Sequence, residues 1–157
     1  MTSRNGTGRK RVTVAILRCG DRFAFQLRDD RTATYPRYWS LFGGRIEPQE
    51  TPTESVLREV SEELGIRLPG IRTEEVLQEA ACELNEWHEA EVHVFSADIE
   101  SLWERRKLGE GESCALLGWE ELLRLEANVT PMTIKIMRRY LSREETPAGN
   151  ETAVGEP

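Results

Sequence analysis

The chain has 157 residues, a formal net charge of −7 and 38% hydrophobic residues, which suits one domain with a single core. An acidic balance of this kind repels nucleic-acid backbones and argues against a polynucleotide binder, and no apolar run approaches the roughly 18 residues that a membrane span needs. A phosphate-rich ligand would require divalent cations to reconcile the charges.

Residues 1–10 are polar and basic, with Arg4, Arg9 and Lys10, and lack the apolar stretch of a secretory signal; a disordered arm is expected there. Residues 12–18 alternate around β-branched positions, and residues 22–28 alternate Phe23, Phe25 and Leu27. The Cys19-Gly20-Asp21 break between them predicts an antiparallel hairpin with both Phe side chains in the core. A polar loop with Pro36 follows over 29–37, and residues 38–42 read as a short strand running into Gly43-Gly44. The next helix start is the clearest in the chain. Thr51 stands at the N-cap, Pro52 at the first helical position and Glu54 three residues after the cap, which is a capping box with an N1 proline. The spacing predicts a helix to Leu64 with Gly65 as its left-handed terminator, and Val56, Leu57, Val60 and Leu64 as its apolar stripe.

Residues 75–82 and 91–99 read as strands joined across 85–88, 113–117 as a shorter strand and 119–125 as a short helix. Thr130-Pro131 opens a last helix with Ile134, Met137, Tyr140 and Leu141 on one face. Residues 142–157 offer little to bury, and a disordered tail is expected. Between arm and tail, residues 11–141 form the expected domain. Its irregular interleaving of strands and helices predicts an α/β fold, a mixed sheet sandwiched between helices. Cys19, Cys82 and Cys114 are odd in number and without CxxC spacing, as expected of free thiols in a reducing cytosol. Seven acids and no Lys or Arg fall within 74–91, which reads as a solvated face or a repulsive wall.

The chemistry concentrates on the helix from Pro52. Spacings of three and four residues place Glu59, Glu62 and Glu63 near one face, an arrangement that costs an isolated helix a few tenths of a kcal/mol per pair. Arg58 offsets part of this by reaching Glu54 or Glu62. A solvated acidic face is the usual meaning of such a cluster. Here, however, a Gly-Gly pair precedes the helix, Glu50 stands just before its cap and the apolar stripe faces away. Rigidly held carboxylate oxygens are what Mg²⁺ requires.

Gly44, five residues, Glu50, seven residues, then Arg58-Glu59-Val60-Ser61-Glu62-Glu63-Leu64-Gly65-Ile66 resembles the Nudix box without a mismatch. At average residue frequencies, a chance match is on the order of one in ten million. The resemblance covers residues 11–141 and implies the Nudix fold. It implies Glu59, Glu62 and Glu63 as Mg²⁺ ligands (Mn²⁺ substituting), Glu50 and Arg58 as braces of that cluster, and a carbonyl of Gly43 or Gly44 as a further ligand. It also implies a glutamate from outside the box, as ligand or general base, for which Glu112 is the candidate. Phe42 departs from the proline common there in relatives, which puts the loop entry in question.

Specificity is less legible. Residues Ala80, Ala81 and Cys82 occupy the region where markers of ADP-ribose and dinucleoside-polyphosphate enzymes are expected, and those markers are absent. Arg28-Asp29-Asp30 followed by Tyr35-Pro36 resembles bacterial members compared with nucleotide-sanitising enzymes. Arg28 and Arg45 are candidates for phosphate and Trp39 and Trp87 for the base, whereas His88 and His93 read as surface residues. The implied activity is Mg²⁺-dependent hydrolysis of the diphosphate linkage in a nucleoside diphosphate joined to another group, an oxidised nucleoside triphosphate among the options. The alternatives are a nucleotide-sugar hydrolase (GDP-mannose or ADP-ribose) and a non-catalytic nucleotide sensor. The expected partner is a small nucleotide bound by a cytoplasmic monomer or homodimer, with no polynucleotide and no membrane.

Overall fold

The structure, a computed structural model, describes residues 10–32, 34–83, 86–107, 109 and 113–145. Strand β1 (Lys10–Cys19) runs through the middle of a seven-stranded mixed sheet. It turns tightly into β2 (Arg22–Leu27), with Arg18 opposite Phe23 and Cys19 opposite Arg22. Two short strands follow, β3 (Trp39–Ser40) on β2 and β4 (Phe42–Arg45) antiparallel to β1. After the helix α1 (Pro52–Leu64), β5 (Arg72–Glu83) and β6 (Glu86–Asp98) form a long antiparallel pair. Strand β6 lies parallel to β1, from Lys10 opposite Ala90 to Arg18 opposite Asp98. Then β7 (Ser113–Leu117) pairs with β2, and the helices α2 (Trp119–Arg124) and α3 (Pro131–Glu144) complete the chain.

The period-two pattern of β1 decides the layers. Ile16 faces one side with Val92, Val94, Phe23, Phe25 and the buried residues of α2 and α3. Ala15 and Leu17 face the other with Phe42, Phe95 and the α1 stripe. Both faces of the sheet are therefore covered by helices, as the mixed pattern predicted. Val56, Val60 and Leu64 are fully buried. Each contributes about 1.5–3 kcal/mol, which outweighs the few tenths lost to crowded glutamates, so packing decides that α1 persists with its acidic face.

The structure departs from the sequence reading at several element boundaries, among them the start of β5 at Arg72 and of β6 at Glu86. The stretch read as one strand entering a Gly-Gly loop is two strands, and Gly43 and Gly44 lie inside β4, opposite Val14 and Thr13. Gly43 has φ 150, and a Cβ there would overlap the Thr13 carbonyl oxygen, so only glycine permits this close pairing. The link read at 85–88 is shorter, because the ladder continues until Glu83 stands opposite Glu86. Helix α3 continues to Glu144, three residues beyond the last apolar position. Ion pairs carry that turn: Arg143 Nη1 donates to Glu75 Oε2 at 2.7 Å and Arg18 Nη1 to Glu144 Oε2 at 3.2 Å.

Candidate active site

Helix α1 is fixed at both ends by local chemistry. Thr51 Oγ1 accepts from the Glu54 amide at 3.1 Å while Glu54 Oε1 accepts from the Thr51 amide at 2.9 Å. At the other end Gly65 adopts φ 64 and donates its amide to the Ser61 carbonyl at 2.9 Å. Glu54 is thereby committed to the cap, and Arg58 turns instead to Glu50, Glu59 and Glu62.

That guanidinium organises the cluster. Its Nε and Nη2 grip Glu50 as a fork, with Nη2 at 2.9 Å from Oε1 and also donating to the Arg45 carbonyl at 3.2 Å. Its Nη1 donates to Glu59 Oε1 at 3.0 Å and to Glu62 Oε2 at 3.2 Å. Every N–H of the fork has an acceptor. The Arg58 fork, helped by the Glu47 amide, holds the Glu50 carboxyl down to about 2 from an ordinary 4.5. Hydrogen bonding to Glu50 in turn raises the Arg58 pKa, so both partners stay charged.

The three α1 carboxylates occupy different environments. Glu63 is 5% exposed, the Glu59 side chain 13% and the Glu62 side chain 46%. Glu63 Oε1 accepts from the Gly43 amide at 3.1 Å and Oε2 from Gln26 Nε2 at 3.3 Å. The Glu59 carboxylate lies against Gly44, where any Cβ would overlap it. The Gly-Gly pair thus serves twice, once for the strand and once for the carboxylates. Among the described residues no three acidic, His or Cys side chains already converge as a metal cage. Arg58 holds Glu59 and Glu62, whereas Gly43 and Gln26 hold Glu63. The donor set nevertheless fits a hard cation, because the Glu59 and Glu63 carboxylates stand beside a strand whose glycines lack side chains, with Glu62 one turn from Glu59 on the same helix.

Gly43 and Gly44 also line a cleft of about 580 Å³ between β1, β2, β4 and the start of α3. Lys10, Arg28, Arg45 and Lys135 line it, a cationic character opposite to that of the whole chain. Ser40 and Thr133 line it too, and the buried Ser40 hydroxyl has no hydrogen-bond partner among the described residues. Tyr35 adds an exposed aromatic ring to the lining, on a backbone with φ 48. Of the sequence candidates, Arg45 lies at this cleft and gives its carbonyl to Arg58. Arg28 lies there as well, but braces the loop by donating from Nε and Nη2 to the Thr34 carbonyl at 3.2 and 3.1 Å. Trp39 is half-buried against the α3-side core and bridges to Val129, so the structure gives its ring to packing. Glu112 lies outside the described residues. Its described flanks are placed, with Gly109 donating to the Glu63 carbonyl at 2.9 Å and Ser113 opposite Leu27.

Sequence reasoning missed Gln26, Ser40 and Thr133. Gln26 breaks the apolar run that begins at Phe23 in β2, and only the sheet shows that it faces Glu63. The lysines at 10 and 135 are ordinary in sequence and line one cleft only because the fold sets α3 over this face of the sheet.

Comparison with known proteins agrees with this arrangement. The NUDIX domain family profile matches residues 8–140. The fold is similar to the NUDIX domain of Shewanella oneidensis NrtR solved with ADP ribose, with TM-score 0.73, 12% identity, and coverage of 91% of this chain and 93% of that one. It is similar also to the MutT protein from Methanosarcina mazei Go1, with TM-score 0.69, 24% identity and coverage of 90% and 98%. A bifunctional NMN adenylyltransferase/ADP ribose pyrophosphatase from Francisella tularensis, complexed with AMP and Mn ion, aligns at TM-score 0.69 and 17% identity over 87% of this chain and 42% of that one. A search of curated protein sequences found no match. With the box residues on α1, the Gly-Gly strand against them and the family profile spanning residues 8–140, the chain belongs to the NUDIX domain family, whose enzymes hydrolyse nucleoside diphosphate derivatives.

Proposed function

We propose that the protein is a Mg²⁺-dependent pyrophosphohydrolase that cleaves the diphosphate linkage of a nucleoside triphosphate or related nucleoside diphosphate derivative. The observation that carries this is the intact carboxylate set on α1, braced by Arg58 and Glu50, standing against the strand that lines a cationic cleft. Glu59, Glu62, Glu63 and a carbonyl of Gly43 or Gly44 would hold the cations. Bound divalent ions would neutralise the diphosphate and lower the pKa of an attacking water. Arg58 orients Glu59 and Glu62 through its Nη1 without itself meeting substrate. Arg45, Lys10 and Lys135 supply positive potential for phosphate, and the half-apolar walls with Ser40, Thr133 and Tyr35 suit a base. Glu112 is proposed as the general base, since its flanking residues are held beside Glu63 and Leu27. The half-buried free thiols Cys19 and Cys114 accord with a cytoplasmic setting.

A sensor that binds without cleaving is less well supported, because all the box glutamates are present and braced. A nucleotide panel with Mg²⁺, scored for products, tests the reading. Release of pyrophosphate and a nucleoside monophosphate from a triphosphate is expected. Turnover of nucleotide sugars alone would shift the substrate class, and binding without any turnover would overturn the enzyme.

A further inference from the structure

The C-terminal turn of α1 carries Glu62 and Glu63, and its carbonyls do not end in water. Gly65 takes the Ser61 carbonyl, the Lys107 amide donates to the Leu64 carbonyl at 2.7 Å, and the Gly109 amide donates to the Glu63 carbonyl at 2.9 Å. The two long-range bonds come from one short segment that follows a 3-10 turn (Trp103–Arg105) packed on the α1-side core. That turn is itself anchored: Arg106 stacks 4.0 Å from the Trp103 ring centroid and donates Nη1 to the Trp103 carbonyl at 2.9 Å. At Gly109 the backbone presses on the helix so closely that a Cβ would overlap the Glu62 carbonyl oxygen. Lys107 approaches the same turn from beneath, with its Cβ 3.1 Å from where a Gly65 Cβ would stand.

We infer that Lys107 and Gly109 form a strap that positions the metal-binding turn of α1, with Gly109 as a positioning residue for Glu62 and Glu63. The inference rests on the proposal above that these carboxylates hold divalent cations. The capping box and the buried stripe fix the helix as a whole, whereas the strap bonds the carbonyls of the turn that carries Glu62 and Glu63. Glu63 has its carboxylate held by Gly43 and Gln26 and its own carbonyl held by Gly109. Moving that carbonyl therefore moves the carboxylate against the Gly43-Gly44 strand. Misplacements near 1 Å can cost about a hundredfold in rate where geometry controls the reaction.

Two variants of the full chain test this. Gly109→Ala adds the overlapping methyl. Lys107→Pro removes the other strap donor and sets its ring against the Leu64 carbonyl that the amide bonds at 2.7 Å, while Arg106, with ψ 150, already has the backbone that precedes proline. Gly70→Ala is the control, since nothing lies within 4 Å of its Cβ. Binding of Mn²⁺ alone, followed by electron paramagnetic resonance, and steady-state kinetics at saturating metal are measured beside melting temperature. Mn²⁺ affinity is expected to fall at least about fivefold and kcat at least about tenfold in both variants, with KM within about twofold, while Gly70→Ala is unchanged. Unaltered Mn²⁺ affinity and kcat with only a lower melting temperature would overturn the inference, as would loss of the fold in both variants, which would make the strap a general structural element. Absence of Mn²⁺ binding by the unsubstituted protein would instead refute the metal reading itself.

Discussion

Four carboxylates, Glu50 just before α1 and Glu59, Glu62 and Glu63 in its C-terminal half, accompany the Arg58 guanidinium and are held in different ways. Glu50 is held by a fork, Glu59 and Glu62 share the other amine of that fork, and Glu63 is drawn into the sheet. Glu59→Gln, Glu62→Gln and Glu63→Gln should each lower kcat at least about 10²-fold with the fold retained, because a neutral amide is a poor ligand for a hard cation. In the same series Glu112→Gln should reduce kcat with KM nearly unchanged, with Glu110→Gln as the neighbouring control. Near-normal turnover in any two of the α1 variants would remove the metal-cluster assignment. Glu50 has a depressed pKa, so the stability from its pairing is fully present above the ordinary 4.5 and is lost as pH falls towards about 2. Melting temperature should therefore fall more steeply between pH 4.5 and 2 in the unsubstituted protein than in Glu50→Gln. Parallel curves would show that the fork contributes nothing to folding.

At the scale of elements, α1 was legible to the residue. Thr51, Pro52, Glu54 and Gly65 each carry a local signal, and the helix spans Pro52–Leu64 with both halves of the capping box formed. Thr51→Ala should cost about 1 kcal/mol, read as a melting temperature lower by several degrees with kcat little changed. An unshifted melting temperature would mean that burial of the α1 stripe alone sets its stability. The strands beside the site were legible in kind but not in extent. Gly43 and Gly44 are read as loop residues by any local rule, and only the close passage of β1 makes them strand residues. Likewise the end of α3 depends on Arg139 and Arg143 meeting Glu75 across the fold, an arrangement without periodic signature.

For the whole molecule, the layer order followed from the alternation of β1, but the parallel pairing of β1 with β6 joins residues about eighty apart and had no sequence counterpart. The cleft is a product of that topology. It brings Lys10 and Lys135 together with Arg28 and Arg45, and so builds a cationic cavity in a chain of net charge −7. No helix among the described residues is long and apolar enough to cross a membrane. Residues 1–9 and 146–157 carry little apolar surface, and their joint deletion is expected to leave melting temperature and turnover nearly unchanged. A large loss would show that an end of the chain docks on the domain.

In the proposed reaction the α1 carboxylates hold the cations on which diphosphate cleavage depends. The most direct test is turnover of the best nucleotide before and after excess chelator, with Mg²⁺ then restored. Cleavage should vanish with the chelator and return with Mg²⁺ in the unsubstituted protein but not in Glu59→Gln. Cleavage that continues unaltered in excess chelator would contradict that role of the cations.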